Sequence, residues 1–388
     1  MSEKAKQACR VTTDGLVKKP GRIRFREGRG GAFYHTLQSR VDRYFEQSSK
    51  SRHADYRLFM KGGVYLAVCL SAYALILSGK FGLWTMLLLA NVYGIAALLF
   101  GINVGHDAAH SALSRRNWVN NAFLYGSFIL IGADPYLWRL RHVRSHHVFP
   151  NVNGCDIDID SNFFLRLSPN HPRRCYQRFQ HLYAPFIFWL VDLHTVFIQD
   201  LHYLLKRDLA NMVNIRHAPS AYFGFVACKL AFIALAFIIP ALVLPIAWWQ
   251  VLLGVLLMSF VSSCAFVYLL IGTHFAEETQ FPELDGNGVI EGDWAVHAML
   301  TSLDWNPHSP IAHWIAGGSN AHAAHHLFPN VSHVHYREIT RIIDVTAAEF
   351  GVPHNVTTFS GMVRSHFRFL KKMGSEGACK PLAKLAHA

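Results

Sequence analysis

The chain has 388 residues, 52% of them hydrophobic and only 16% charged, an oily balance for a water-soluble protein of this length. Its formal charge is +12, but the apolar residues gather in long runs, so anionic membrane lipid rather than nucleic acid is the expected partner of that charge. Seven scattered cysteines without a CxxC pair exclude a cysteine metal knot and give no reason to expect a disulfide framework.

In chain order, residues 1–60 are polar and basic and lack the apolar core of a signal peptide. They are expected to form a cytosolic N-terminal arm, followed by one unit over 61–388. Within that unit four runs, 62–79, 82–105, 221–245 and 248–271, each reach the roughly 20 apolar residues that a bilayer crossing needs. The connectors, Lys80-Phe81 and the stretch from Pro245 to Trp248, are so short that the runs pair as two hairpins.

Basic residues concentrate in the arm (Lys18, Lys19, Arg22, Arg24, Arg26, Arg29) and in the loop 106–220 (Arg115, Arg116, Arg139, Arg141, Arg144, Arg173, Arg174). By the positive-inside rule both termini and the long loop face the cytosol, at the inner membrane if the source is bacterial. Two shorter apolar stretches, 119–133 and 183–198, the second broken by Asp192 and His194, are expected to lie along the interface. Lys229, inside the third run, is expected to snorkel back to the cytosolic surface. The fold class that follows is an all-α integral membrane protein: four transmembrane helices in two hairpins, with a cytosolic helical cap holding a dinuclear metal site.

That metal site is read from the histidines. The chain has 24, and three clusters stand out: His106 and His110 at the end of the second run; His142, His146 and His147 in the long loop; and His322, His325 and His326 after the fourth run. On a helix, residues three and four apart share a face. His106 with His110, His142 with His146, and His322 with both His325 and His326 are therefore expected to meet at one ion. An adjacent pair such as His146-His147 points two ways and serves two ions, which suggests a dinuclear site. The predicted topology brings all three clusters to one side of the bilayer.

Imidazole suits Zn, Fe, Cu and Ni alike. No HExxH occurs, so a zincin hydrolase lacks its general base. No Glu-x-x-His occurs either, which removes the soluble carboxylate di-iron pattern. An all-imidazole dinuclear centre beside lipid fits iron and O2 chemistry best, although spacing alone leaves the other metals open.

Around these residues the sequence resembles the membrane fatty-acid desaturases, from about Phe33 to about Phe350. The boxes read GHDAAHSA, WRLRHVRSHHVFPNVNGCDIDID and GGSNAHAAHHLFPNVSHVHY, and HHLFP is like the bacterial linoleoyl-CoA-type and front-end acyl desaturases. There is a departure: front-end enzymes usually have Gln where this chain has His322. The resemblance implies a cis double bond placed in an acyl chain by two Fe ions and O2. The acyl chain would be carried by CoA, a carrier protein or a glycerolipid, and would occupy an apolar tunnel among the helices. With no HPGG motif and no fused cytochrome b5 domain, the implied electron donor is a separate ferredoxin-like or cytochrome b5-like protein. It also implies a ninth ligand upstream of the third box, for which His297 is the candidate over His274, with Asp293 one turn earlier holding a water or a ligand.

Three carboxylates are further candidates. Asp107 inside the first box and Asp156 after the second suit hydrogen bonds to ligating histidines, as does Asp293. Arg139, Arg141 and Arg144 are candidates for a substrate headgroup or anionic lipid. Two rival functions remain: a lipid hydroxylase, epoxygenase or ketolase on the same scaffold, and a metal transporter. A transporter should bury polar ligands at mid-membrane, where these runs have few.

Overall fold

The structure, a computed structural model, describes residues 11–13, 16–18, 23–26, 31–377 and 379–380. Of the basic residues used to orient the chain, Lys19, Arg22 and Arg29 lie outside the described residues.

Four helices are long and apolar enough to cross a membrane: Tyr56–Leu77, Leu83–Ala109, Pro219–Val243 and Trp248–Thr273. Each covers the apolar run expected from sequence to within two residues. The first begins earlier than its run because Asp55 caps it, accepting from the backbone N–H of Arg57. Trp84, Leu88, Phe223, Leu242 and Trp248 project outward from these spans, as side chains solvated by lipid tails do. The first and fourth spans both pack on the second, and the third packs on the helix Asn117–Ile131.

The stretch 119–133 is one helix, ended by Gly132 at φ 79°. The stretch 183–198, expected as a single interfacial helix, falls instead in two helical segments, Cys175–Phe188 and Val191–Leu205, bent by 78°. Pro185 lies inside the first segment, and beyond the bend the backbone N–H of Asp192 donates to Ser263 Oγ on the fourth span at 2.8 Å. The backbone at Asp192, where the run is interrupted, thus ties the bend to a span.

Outside the spans, the helix Ala32–Ser48 buries Phe33, Leu37, Val41 and Phe45, four positions at helical spacing. They enter one core with Trp294, Met299, Leu327, Tyr336, Ile339 and Ile343, so this part of the N-terminal segment is packed under the third box. Short parallel pairings join Arg24–Phe25 to Val289–Ile290 and Asp304–Trp305 to Val356–Thr357. Cys175 is disulfide-bonded, a covalent tie that the scattered cysteines gave no reason to expect.

Lys229 does not snorkel. Its Nζ donates to Asp200 Oδ2 and to the Gly132 carbonyl, each at 2.7 Å, and the pair's side chains are 12% and 5% exposed. Asp200 Oδ2 also accepts the backbone N–H of Asp134 at 2.7 Å. The third span is therefore pinned to two loop helices through a buried ion pair, and removing one partner strands the other charge. Asp200→Ala is expected to lower stability by roughly 3–5 kcal/mol, with Asp200→Leu/Lys229→Met recovering most of that loss; thermal unfolding of the purified protein in detergent compares the two.

Candidate metal centre

The second span does not stop at the membrane-length helix. Its backbone passes through a π turn at Gly101–Gly105 and continues into His106–Ala109. At Gly105 an added Cβ would meet Ser127 Oγ at 2.2 Å, so glycine lets the helix Asn117–Ile131 close against the span just before His106. The second box is also carried by a π turn, His142–His146, at the end of the helix Pro135–Arg141. The third box lies on the short helix His322–Leu327.

These elements gather the histidines into two groups. His106, His110, His142 and His325 form one; His146, His274, His322 and His326 form the other; in each, one ring nitrogen per residue lies within 4.8 Å of all the rest. The adjacent pair His325-His326 divides between the groups, as expected of neighbours on a helix. The pairing inside the second box differs from expectation. In its π turn the His147 N–H donates to the His142 carbonyl, five residues back, at 3.0 Å, so positions i and i+5 share a face. His142 consequently meets His147, Nε2 to Nε2 at 3.1 Å, while His146 turns to the other group. His147's ring also lies 4.5 Å from His110, 4.4 Å from His325 and 4.3 Å from His326, between the two groups. In the third box His322 joins His326 rather than His325.

Hydrogen bonds on the far side of the rings set their tautomers. His146 Nδ1 faces Asp156 Oδ2 at 3.1 Å, His274 Nδ1 the Thr301 carbonyl at 2.8 Å, and His322 Nδ1 the Ser319 carbonyl at 3.1 Å. Each of these acceptors demands a proton on Nδ1, which leaves Nε2 as a lone pair. Two of those Nε2 atoms then meet, His322 to His274 at 2.6 Å, and the Nε2 of His326 lies 2.9 Å from His274 and 3.2 Å from His322. Lone pairs so close repel one another unless a cation sits among them, at the ~2.0–2.1 Å typical of metal–imidazole bonds. In the first group the buried Nε2 atoms of His110 and His325 have no hydrogen-bond partner, which asks for the same resolution. Burial and the neighbouring imidazoles push His110, His142, His147, His274, His325 and His326 well below the usual histidine range, and burial takes His322 down to about 3. Neutral imidazole is the ligating form. The donor set fits two metal ions.

The remaining candidates separate by what they touch. His297 does not join either group. Its Nε2 donates to the Pro150 carbonyl at 3.0 Å and its ring packs edge-on against Phe25, so it braces the loop after the second box. The histidine outside the three boxes that joins a group is His274, just past the fourth span. The clue available in sequence was its position, one residue beyond a span end, mirroring His106 near the end of the second span. Asp293 is a helix cap: Oδ1 accepts from Ala295 N at 2.7 Å and Oδ2 from Gly31 N at 3.1 Å.

Asp156 contacts a clustered histidine, His146, and its loop is held by Asn151. The Asn151 N–H donates to Asp156 Oδ2 at 2.9 Å, and its amide reaches the carbonyl of His274 at 3.1 Å. Asp107 instead leaves the clusters. It accepts from Ser332 Oγ at 2.6 Å and faces His333 Nδ1 at 3.0 Å, and His333 Nε2 lies 2.9 Å from Lys61 Nζ in the first span. This buried chain links box one, the segment after box three and the first span, and sequence patterning gave no sign of it. Arg139 donates to Asn121 Oδ1, Arg141 is taken up by Gln199 and Asp158, and Arg144 is exposed. The three arginines do not form one pocket.

Comparison with known proteins agrees with this geometry. Residues 33–358 match the family model described as fatty acid desaturase. The chain belongs to the fatty acid desaturase family. It is 31% identical over 369 residues to the sn-1 linoleoyl-lipid 6-desaturase of Arthrospira platensis, covering 92% of this chain and 97% of that protein. It is 30% identical to the enzyme of the same description from Synechocystis, covering 91% and 98%, and 26% identical to an acyl-lipid (8-3)-desaturase of Physcomitrium patens, covering 92% and 74%. This desaturase is thus an oxidoreductase of fatty-acyl chains and a membrane protein, with histidine clusters able to hold metal.

An apolar cavity of about 340 Å³ opens between the spans, lined by Tyr73, Trp84, Tyr93, Leu235, Trp249 and Met258 among others. No histidine lines it. Trp84 and Trp249 lie at the ends of their helices remote from the boxes, so this cavity is not the reaction chamber.

The third box is supported from behind by a charged histidine. Asp304 accepts the backbone N–H of Ala323, next to His322, at 2.9 Å, and its other oxygen faces His354 Nε2 at 3.0 Å; His354 Nδ1 faces Asp344 at 2.8 Å. Both ring nitrogens must donate, so His354 is an imidazolium. Burial opposes this charge, but the two carboxylates outweigh it and raise His354 to about 10 from 6.5. A group raised on folding stabilises fully below its unfolded pKa and loses that effect as pH climbs through the folded one. The desaturase is therefore expected to lose stability progressively between pH 6.5 and pH 10. His354→Gln should be less stable at pH 6 and show a flatter alkaline profile, read from melting temperature against pH.

Proposed function

We propose that this desaturase introduces a cis double bond into the acyl chain of a membrane glycerolipid, using two iron ions held by His106, His110, His142, His146, His147, His274, His322, His325 and His326. The observation that carries the reading is the convergence of imidazole nitrogens in two adjoining groups. Two irons, when bound, supply the O2 activation needed to remove hydrogen from an unactivated methylene, chemistry that side chains alone do not provide. The protein's own residues do the rest. Asp156 and the carbonyls of Ser319 and Thr301 hold their imidazoles in one tautomer and one orientation.

All three relatives named above are acyl-lipid or linoleoyl-lipid enzymes, which favours an esterified lipid over a CoA thioester as the acyl carrier. The charge bias of the sequence supports two hairpins with the termini and boxes on the cytosolic side. A separate ferredoxin-like or cytochrome b5-like protein supplies the electrons.

Expression in a host with a simple lipid profile, followed by mass spectrometry of derivatised fatty acids, tests the reaction. A new alkene is expected, whereas a hydroxylated product would overturn desaturation and leave the metal site standing. His325→Ala should insert in the membrane yet give no product. Metal analysis separates the two candidate ninth ligands: His274→Ala is expected to lose roughly half the bound iron, and His297→Ala to keep it. Equal retention in both variants would remove His274 from the ligand set.

A further inference from the structure

Beyond the second box the chain builds a small basic pocket. It has a volume of about 120 Å³ and is lined by Ser161, Arg166, His171, Arg173, Arg174 and Gln177 with their neighbours. No acidic residue lines it, and among the described residues none of the three arginines has a carboxylate in ion-pair range.

The three guanidiniums are not equally free. Arg166 donates to the carbonyls of Met373 and Glu376 at 2.7 and 3.0 Å, and to those of Pro169 and His171. It therefore caps the end of the helix Phe359–Ser375, a favourable place for a cation, and forms the pocket's wall. Arg173 spends one nitrogen on the Gly374 carbonyl while its buried Nε has no partner. The Arg174 guanidinium lies over the Phe163 ring at 4.8 Å and, among the described residues, donates only to the Phe163 carbonyl and Tyr176 Oη. Burial and the Arg166 charge push His171 down to about 4, so it is neutral and the pocket's charge is that of the arginines.

The pocket's surroundings are apolar. Phe163, Phe164, Phe179, Leu182 and Phe186 are all about half exposed or more. Phe179, Leu182 and Phe186 recur at helical spacing, while the opposite side of that helix, with Ala184 and Phe188, packs against the fourth span and the helix Phe359–Ser375. Arginines beside an outward aromatic stripe at the end of a span match a membrane interface, where headgroup and tail are met together.

We propose that Arg173 and Arg174 bind the phosphate of a membrane glycerophospholipid, with the exposed phenylalanines receiving its acyl chains. The site rests on the glycerolipid reading above for the identity of its ligand. Its reach suits that role. Ser161 at the pocket is five residues from Asp156, which holds His146, so the two Cα atoms are at most ~18 Å apart. That is comparable with one leaflet's share of the ~30 Å hydrocarbon core.

Native mass spectrometry of the full chain in detergent tests the site directly. The probes are dioleoylphosphatidylglycerol, dioleoylglycerol as the same chains without phosphate, and oleoyl-CoA as a soluble phosphate-bearing carrier. Phosphatidylglycerol is expected to be retained over both others, and Arg173→Gln/Arg174→Gln to weaken it roughly tenfold or more. Equal retention of phosphatidylglycerol and dioleoylglycerol, preference for oleoyl-CoA, or an unchanged double variant would each overturn the proposal. Should the double variant fail to fold, the wild-type ratio of phosphatidylglycerol to dioleoylglycerol decides alone. Because the readout is binding, it is independent of whether product mapping supports desaturation.

Discussion

A neutral imidazole has one N–H and one lone pair, and it cannot point a lone pair at another lone pair in a buried space without cost. This constraint organises the desaturase. Carbonyls of Ser319 and Thr301 and the carboxylate of Asp156 claim the Nδ1 protons of His322, His274 and His146. The Nε2 atoms of His322 and His274 then face one another at 2.6 Å. Two lone pairs at that distance favour a cation between the rings. The backbone hydrogen bonds behind the histidines thus decide the chemistry in front of them.

The same constraint explains the backbone irregularities. A regular α-helix brings residues i and i+4 together, which would have sent His142 and His146 to one ion and left His147 apart. The π turn over His142–His146 moves the shared face to i+5. One six-residue stretch thereby feeds both groups, with His142 in the first, His146 in the second and His147 between them. π turns are rare and concentrate at functional sites. The other at a box, Gly101–Gly105, directly precedes His106 and re-aims the end of a span whose register the bilayer otherwise sets.

Much of this was legible in the sequence. The four apolar runs gave the spans because hydrophobic length is nearly sufficient evidence for a crossing helix. The box histidines were visible because clustered imidazoles on one side of a membrane have few other uses. What failed were inferences that depend on helical phase or distant partners. The i+4 rule misassigned His142 because a π turn leaves no clear mark in residue types. His297 sat at a plausible spacing before box three but spends its Nε2 on Pro150, whereas His274 stood alone after a span with no motif around it. Lys229 looked like a snorkelling side chain because Asp200, its partner, is separated from it by a bend that the apolar pattern of 183–198 concealed. Arg141 looked like a ligand for an anion, while Gln199 and Asp158 already occupy it.

The buried polar links share a location: they lie where spans meet the elements that carry the boxes. Asp107, His333 and Lys61 join box one to the first span; Asp304 and His354 brace the third-box helix; Lys229 and Asp200 pin the third span. Apolar contacts at these joints would suit stability as well or better, since desolvating charges is costly. They would not hold register, because an apolar surface packs almost equally well after a small slide or rotation, whereas a buried hydrogen bond does not survive one. Selecting one methylene among many chemically similar ones demands a positional tolerance well under a C–C repeat. Lipid solvation provides no hydrophobic force to clamp one span against another. Directional bonds between the spans and the histidine boxes are the remaining means of transmitting that tolerance from membrane to metal.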